Sequence, residues 1–197
     1  TPLLIDDGSE VTSVIRNPDQ VPDIEALGAT PAVYDITSLS TEQFADLLSG
    51  HDAVVWSAGA GGGSPERTYA IDRDAAITSI AAAEKAGVKR YVMVSYFGAG
   101  HDHGVPEDHS FYAYAESKAA ADEALRGSNL EWTILGPSAL TLDEGQDSIE
   151  TTADKAGEVA RATVANVIAQ TVFNDATVGR TINFNEGDTP ITEALKQ

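Results

Sequence analysis

The sequence predicts an α/β protein built on a doubly wound parallel sheet, with helices layered on both of its faces. Segments with strand-like alternation take turns with segments of helical periodicity along nearly all of the 197 residues. The run HDAVVWSAG is apolar on both faces, which is typical of a central parallel strand. The sequence contains no internal repeat and no low-complexity linker, so a single domain is expected over residues 1–197.

The first half of the chain predicts three strands and four helices. A short helix in TPLLIDDG ends at Gly8, because glycine accepts the left-handed conformation of a helix cap. The strand EVTSVIR, the helix PDIEALGA and the strand TPAVYDIT follow, and STEQFADLLSG carries a helix with one apolar face. The strand HDAVVWSAG then leads through a glycine-rich stretch into the alanine-rich helix PERTYAIDRDAAITSIAAAEKAG.

The second half continues the alternation with the strand VKRYVMVSYFG, the helix HSFYAYAESKAAADEALRGSN and the strand LEWTIL. The stretch from Gly136 to Gly157 is predicted as turn-rich. A helix in RATVANVIAQTVF, a strand in GRTINFNE and a terminal helix in TPITEALKQ complete the pattern.

Composition excludes several classes of function. The formal net charge of −19, from 31 acidic and 12 basic residues, repels the phosphates of nucleic acids, so direct DNA binding is not expected. The absence of cysteine excludes disulfides, thiol catalysis and thiolate metal sites. No apolar run approaches the roughly 20 residues of a membrane span, and no signal peptide pattern is present. A cytoplasmic protein without membrane contact is therefore expected.

The glycine-rich stretch after the third strand matches a dinucleotide fingerprint only in part. Gly59 and Gly61 fit G-x-G-x-x-G, but Ser64 stands in the place of the third glycine. One interpretation is a flexible turn. The other is a strand end whose small residues let a cofactor lie against the backbone. Two strands precede this stretch, whereas a phosphate-binding loop belongs to the first strand–helix unit.

A tyrosine and a lysine four residues apart form the candidate catalytic pair. Tyr114 and Lys118 share one face of the predicted helix. An ammonium beside a phenol favours the phenolate, so Lys118 is expected to lower the pKa of Tyr114 and make it a usable acid or base near neutral pH. Tyr112 is the rival phenol, but the charge of Glu116 would raise its pKa.

Four stretches resemble the short-chain dehydrogenase/reductase superfamily, in its atypical or extended NAD(P)-binding branch that includes NmrA-like proteins. They are EVTSVIRNP, HDAVVWSAGAGGG, AAEKAGVKRYVMVSYFGA and YAYAESKAAADEAL, and LEWTILGPSAL continues the likeness. The resemblance implies a Rossmann-like three-layer fold that binds a dinucleotide. In that family the first strand and glycine loop precede the equivalent of TPLLIDDG, so the diphosphate site is assigned to no residue of this sequence.

The resemblance also implies the cofactor site. Arg16 matches the basic position that binds the 2′-phosphate of NADP, which favours NADP over NAD. The other implied cofactor-binding residues follow later strands or lie on the catalytic helix: Asp35 and Ile36 beside the adenine, Ser57, Ala58 and Gly59 along the ribose and nicotinamide side, Lys118 on the nicotinamide ribose, and Pro137 and Ser138 flanking the nicotinamide. The glycine-rich stretch after the third strand would thus lie beside the cofactor without binding its phosphates.

The implied catalytic residues are Tyr114 as acid/base, Lys118, and a serine or threonine at the end of the fourth strand. Ser95 stands there, but an alternative register puts Tyr96 in that position and makes it a substrate-side residue. Gly136 stands before Pro137 where many relatives have arginine. Asp72 matches a position that orients the active-site strand, although a role on the helix surface is the open alternative.

Three histidines follow the fourth strand in a loop that also carries acidic residues: His101, His103 and His109. A divalent metal site is one interpretation. A polar loop over the substrate cleft, with His109 facing the cleft, is the favoured one, and no metal is expected.

The function expected from this resemblance is hydride transfer between NADPH and a small carbonyl, flavin or quinone-like acceptor. Residues 136–197 would form a small substrate-side portion, too small for a nucleotide-sugar substrate. The alternative is a non-catalytic NADP-binding redox sensor. A small-molecule substrate is the expected partner, and the alanine-rich helices at 74–86 and 115–125 could form the face of a homodimer.

Overall fold

The N-terminal unit, Thr1–Leu39, contains two parallel strands and short helices. The computed structural model describes residues 1–196. Helix α1 ends before Gly8, whose φ of 88° is the left-handed cap that the sequence predicts. The elements are α1 (Pro2–Asp6), β1 (Thr12–Ile15), a 3-10 turn (Pro18–Gln20), α2 (Val21–Ala26) and β2 (Thr30–Val33).

The second unit begins at Ser40 and is organised around a six-stranded sheet with the order β10-β7-β9-β5-β4-β3. Strands β3, β4, β5 and β9 run parallel, and β7 and β10 are antiparallel to their neighbours. The strands are β3 (Ala53–Trp56), β4 (Arg90–Val94), β5 (Glu131–Pro137), β6 (Ala139–Thr141), β7 (Ser148–Glu150), β8 (Glu158–Ala160), β9 (Arg180–Glu186) and β10 (Thr189–Pro190).

Helices cover both faces of this sheet, which confirms the doubly wound α/β prediction. On one side α3, α5 and α6 pack side by side, and on the other α7 lies against β3, β4 and β5. The helices are α3 (Thr41–Leu48), α4 (Pro65–Thr68), a π-helical segment (Tyr69–Ala75), α5 (Ala76–Ala86), α6 (Tyr112–Arg126), α7 (Arg161–Val172) and α8 (Ile191–Ala194). None of the helices in the described part of the chain has the length and apolar character to cross a bilayer.

Two local predictions were incomplete. The stretch from Gly136 to Gly157 contains β6 and β7, and β6 pairs in parallel with β8. Strands of three residues are too short to establish a period of two, so the pattern showed only turns. The long helix predicted over residues 65–86 is interrupted by the π-helical segment, whose wider turn is a local change that residue types alone do not reveal.

Arg90 sits in the core with no carboxylate against its guanidinium among the described residues. It donates at 2.9 Å to the carbonyl of Val172 and at 2.8 Å to that of Thr171, in the last turn of α7. It also donates to the Thr133 hydroxyl, the Thr177 hydroxyl and the Glu131 carbonyl. The side chain therefore donates to the Val172 carbonyl at the end of α7 and adds a second donor to the Thr171 carbonyl, which also accepts the backbone N–H of Asn174, and it ties α7 to β4 and β5.

Replacing Arg90 with alanine is expected to lower the free energy of unfolding by about 3 kcal/mol or more, because several buried acceptors lose their donors together. Urea unfolding followed by circular dichroism measures the change. Arg126→Ala is the control, since this exposed side chain donates one bond at 3.2 Å to Thr181. Its cost should stay under about 1 kcal/mol. Equal losses in the two variants would contradict the role given to Arg90.

Candidate active site

The carboxyl ends of β3, β4 and β5 meet at one edge of the sheet, because the three strands are parallel neighbours. Ser57–Gly59 follow β3, Ser95 and Tyr96 follow β4, and Ser138 follows β5. Open parallel sheets bind ligands in the crevice outside these ends. Most of the site residues predicted from the sequence of the second unit are therefore brought to one edge.

Lys118 lies on α6 with its side chain fully buried. Its ammonium donates a hydrogen bond of 2.6 Å to the carbonyl oxygen of Val94, the last residue of β4. Burial lowers the pKa of Lys118, and the charges of Asp122 and Asp72 oppose that shift. The amine is thus held against the strand end between two acidic residues.

Asp122 is the first residue of the site that the sequence reasoning missed. It is fully buried one turn after Lys118 on α6, and its Oδ2 accepts a hydrogen bond of 2.6 Å from the Ser95 hydroxyl. Its other oxygen, Oδ1, has no partner in the described part of the chain. Burial raises the pKa of Asp122, while the Ser95 bond and the charge of Lys118 lower it. The signal was the continued spacing of four residues, Tyr114, Lys118, Asp122.

Asp72 is buried, so the alternative of a role on the helix surface is wrong. It lies in the π-helical segment, and its Oδ2 accepts a hydrogen bond of 2.9 Å from the backbone N–H of Ala60. A Cβ on Gly59 would stand 3.0 Å from its Oδ1, so only glycine fits there without a shift. The carboxylate therefore holds the start of the glycine stretch in place after β3.

Three rings pack together beside the lysine: Tyr96, Phe111 and Tyr114, hereafter the aromatic cluster. Ring centroids are 5.6 Å apart for Tyr96 and Tyr114, 5.3 Å for Tyr96 and Phe111, and 5.2 Å for Phe111 and Tyr114. These distances are those of favourable aromatic pairs. Of the two residues after β4, it is Tyr96 that packs on Tyr114, while the Ser95 hydroxyl binds Asp122. Phe111 was not singled out from the sequence.

The expectation that Lys118 lowers the pKa of Tyr114 is wrong. Burial of the phenol, together with the charges of Asp72 and Asp122, raises the pKa of Tyr114 well above its ordinary value. The Lys118 ammonium is instead hydrogen-bonded to the carbonyl oxygen of Val94. Tyr114 is therefore a protonated phenol across the neutral range and is equipped to donate a proton.

The rival phenol and the histidines lie elsewhere in this region. The Tyr112 ring faces the His103 ring, with centroids 5.8 Å apart. His103 and His101 bind different carboxylates of α6, Glu116 at 2.8 Å and Glu123 at 2.6 Å. The exposed His109 accepts a hydrogen bond from the backbone of Phe111 at the start of α6. The three histidines thus do not converge, and the role of His109 toward the cleft stays a prediction.

Beyond β5, two asparagines of β9 organise the predicted nicotinamide-side residues. Ser138 is buried and bonded to Asn185, and its hydroxyl accepts the backbone N–H of Gly157 at 3.1 Å. A Cβ on Gly136 would collide with the side-chain oxygen of Asn183. The side chain of Asn183 therefore leaves no room for a side chain at residue 136.

The remaining predicted cofactor residues lie in the N-terminal unit. Arg16 follows β1 and is exposed, and Asp35 and Ile36 follow the adjacent parallel strand β2. The Asp35 carboxylate accepts hydrogen bonds from the backbone and hydroxyl of Thr37 at 3.0 and 2.7 Å. The three residues share the carboxyl edge of this pair, and their contacts with a nucleotide stay a prediction.

A family model described as NAD(P)H-binding matches residues 1–175. The chain belongs to this family. It is an atypical short-chain dehydrogenase/reductase with a Rossmann-like NAD(P)-binding fold, as its structural neighbours also indicate. Pyridine-nucleotide binding is therefore the property that this protein shares with its family.

Similar proteins cover nearly the whole chain. The UPF0659 protein YMR090W of Saccharomyces cerevisiae is 34% identical over 97% of this chain and 88% of its own length. The uncharacterized sugar epimerase YhfK of Bacillus subtilis is 32% identical over 95% of this chain and 87% of its own. The crystal structure of the oxidoreductase ylbE from Lactococcus lactis has a TM-score of 0.85 at 28% identity, over 99% of this chain and 89% of that one.

Replacing Asp72 with asparagine is expected to lower the pKa of Tyr114, because one of the negative charges that raise it is removed. The amide oxygen can still accept the N–H of Ala60, so the glycine stretch stays anchored. Phenolate absorbance in a pH titration, taken as the difference from a Tyr114→Phe version of each protein, measures the shift. The exposed Asp46→Asn on α3 is the control and should leave the titration unchanged. An unchanged titration in Asp72→Asn would contradict this electrostatic account.

Proposed function

We propose that this protein is an NAD(P)-dependent oxidoreductase that uses NADPH to reduce a small carbonyl, flavin or quinone-like acceptor. The observation that carries the proposal is the position of Tyr114 one helical turn before the buried Lys118, whose ammonium is bonded to the last carbonyl of β4 at the carboxyl edge of a parallel sheet. The name of the Lactococcus lactis relative, an oxidoreductase, agrees with this reaction class. A soluble, cytoplasmic setting and a small-molecule substrate belong to the same proposal.

The residues present fit a dinucleotide in this position. No side chain larger than serine stands at Ser57, Ala58 and Gly59, so a flat ring can approach the backbone after β3. A Cβ at Gly59 would press on Oδ1 of Asp72, so the backbone at this residue carries no side chain that could hinder the cofactor. We assign these three residues, Pro137 and Ser138 to the cofactor side, with Lys118 bonding the nicotinamide ribose. The bound reduced nicotinamide would supply the hydride for the acceptor carbon.

Residues of this chain would supply the proton that the substrate oxygen needs. A carbonyl that gains a hydride at carbon leaves negative charge on oxygen, and that oxygen needs one proton. The raised pKa of Tyr114 keeps its phenol protonated until a stronger base forms, and an alkoxide is a far stronger base than a phenolate. Ser95 and Tyr96 are the two candidates for a further donor to the substrate oxygen.

Arg16 is proposed to bind the 2′-phosphate and so to favour NADPH over NADH. Arg16→Ala is expected to weaken NADPH about tenfold while leaving NADH unchanged, since one charge-assisted contact is lost. A fluorescence titration with each cofactor measures both affinities. Lys89→Ala, an exposed cation just before β4, is the control and should alter neither. If Arg16→Ala weakens both cofactors equally, the phosphate is read by another residue.

Replacing Tyr114 with phenylalanine is expected to reduce turnover about 10²–10⁴-fold, the usual contribution of a positioned acid, while NADPH affinity is kept. Oxidation of NADPH with phenanthrenequinone as acceptor measures turnover, and fluorescence measures affinity. Tyr112→Phe, which removes the rival phenol, is the control and should keep full turnover. A wild-type protein that binds NADPH but turns over no acceptor would favour the redox sensor instead.

A further inference from the structure

Ser95 and Tyr96 are adjacent, but their hydroxyl groups have opposite surroundings. The Ser95 hydroxyl is 2.6 Å from Oδ2 of Asp122, inside a buried pair on the α6 side of β4. The Tyr96 hydroxyl is itself shielded from solvent and has no hydrogen-bond partner in the described part of the chain. Successive residues of an extended segment point to opposite sides, which explains why the Tyr96 ring packs in the aromatic cluster while the Ser95 side chain points to Asp122.

An unpartnered buried hydroxyl costs stability, because it has lost its bonds to water without replacing them. Buried groups of this kind in native proteins call for an explanation, and a role at a ligand site is among the common ones. Here the hydroxyl belongs to a ring 5.6 Å from Tyr114, the residue to which the proton-donor role was given. The rings that carry the unsatisfied donor and the proposed acid therefore pack against each other.

We propose that Tyr96 is the second catalytic hydrogen-bond donor, and that its phenol and that of Tyr114 together hold the oxygen of a planar carbonyl substrate of the quinone class. This inference rests on the proposed reductase function. It assigns to Tyr96, and not to Ser95, the further hydrogen bond to the substrate oxygen for which both residues were candidates. Ser95 is then a positioning residue, whose hydroxyl holds the carboxylate of Asp122.

Phe111 completes the substrate side of this arrangement. It is 38% exposed, its ring is 5.3 Å from Tyr96, and it leads directly into α6. An aromatic ring open to solvent beside two phenols offers a surface on which a flat substrate can stack. A quinone satisfies both features, because its ring stacks while its carbonyl oxygen accepts two hydrogen bonds.

The two phenols have different roles in the proposed reduction, since one gives up a proton and the other only donates a hydrogen bond. Hydride adds to the carbonyl carbon, the electron pair of the C=O double bond moves to oxygen, and Tyr114 gives that oxygen its proton. NADPH is oxidised and the carbonyl is reduced by two electrons. Tyr96 keeps its proton throughout and only donates a hydrogen bond. Burial, with the nearby charges of Asp122 and Glu116, raises the pKa of Tyr96 and keeps it protonated.

The test is binding of phenanthrenequinone to the protein saturated with NADP⁺, where no reduction can occur. The carbonyl stretching frequency of the bound quinone, measured by difference infrared spectroscopy, falls as hydrogen bonds to its oxygen are added. Tyr96→Phe is expected to raise that frequency part-way toward its value in an apolar solvent. It should also weaken quinone binding about three- to tenfold, the contribution of one hydrogen bond, with NADP⁺ affinity unchanged. Tyr112→Phe is the matched control.

A second readout needs no substrate. Because its hydroxyl lacks a partner, Tyr96→Phe is expected to raise the melting temperature of the protein alone by about 2–4 °C. A gain in stability with a loss of quinone affinity is the combination expected of a group kept for function. A lower melting temperature would overturn the proposal, since the hydroxyl would then have a partner within the protein.

The other outcomes are also decisive. An unchanged carbonyl frequency in Tyr96→Phe, or a shift found only in Ser95→Ala, would overturn the role of Tyr96. Failure of the wild-type protein to bind phenanthrenequinone would also overturn it. If NADPH still binds and another acceptor is reduced in that case, the proposed reductase function survives. A wild-type protein that does not bind NADPH would instead overturn both the role of Tyr96 and the proposed reductase function.

Discussion

The buried ammonium of Lys118 is the interaction on which the rest of the site depends. An ion taken out of water needs both hydrogen bonds and opposite charge to remain there. The structure supplies the bond from the end of β4 and the charge from Asp72 and Asp122. Each of these partners belongs to a different element. Holding one amine in place therefore fixes α6, the π-helical segment and the central strand against each other.

The two carboxylates near Lys118 also bind the segments that follow β3 and β4. Asp72 accepts a hydrogen bond from the backbone N–H of Ala60 and so anchors the glycine stretch. Asp122 reaches to the hydroxyl of Ser95 after β4. Because both acids are buried, replacing either with an apolar residue would leave Lys118 with less compensation for its lost hydration. The same residues that stabilise the lysine thus hold the segments that follow β3 and β4.

The electrostatic result is an acid and not a base. In isolation a tyrosine one helical turn from a lysine favours the phenolate, but here two carboxylates and burial reverse the direction. A firmly protonated phenol suits reduction, in which the substrate oxygen becomes strongly basic. It suits the reverse reaction less well, because a phenol that rarely ionises is a poor acceptor of protons at neutral pH. Burial of the phenol is the largest cause of the raised pKa of Tyr114, and the charges of Asp72 and Asp122 add to it.

The sequence by itself determined the features that depend on neighbours along the chain. Alternating strands and helices, the cap at Gly8 and the shared face of Tyr114 and Lys118 all follow from local periodicity and glycine chemistry. Only the tertiary structure decided what surrounds those residues. Asp72 is 46 residues before Lys118, and Ser95 is 27 residues before Asp122, so no local pattern joins them. The burial of those charges and the packing of Tyr96 on Tyr114 arise when distant segments meet at the strand ends.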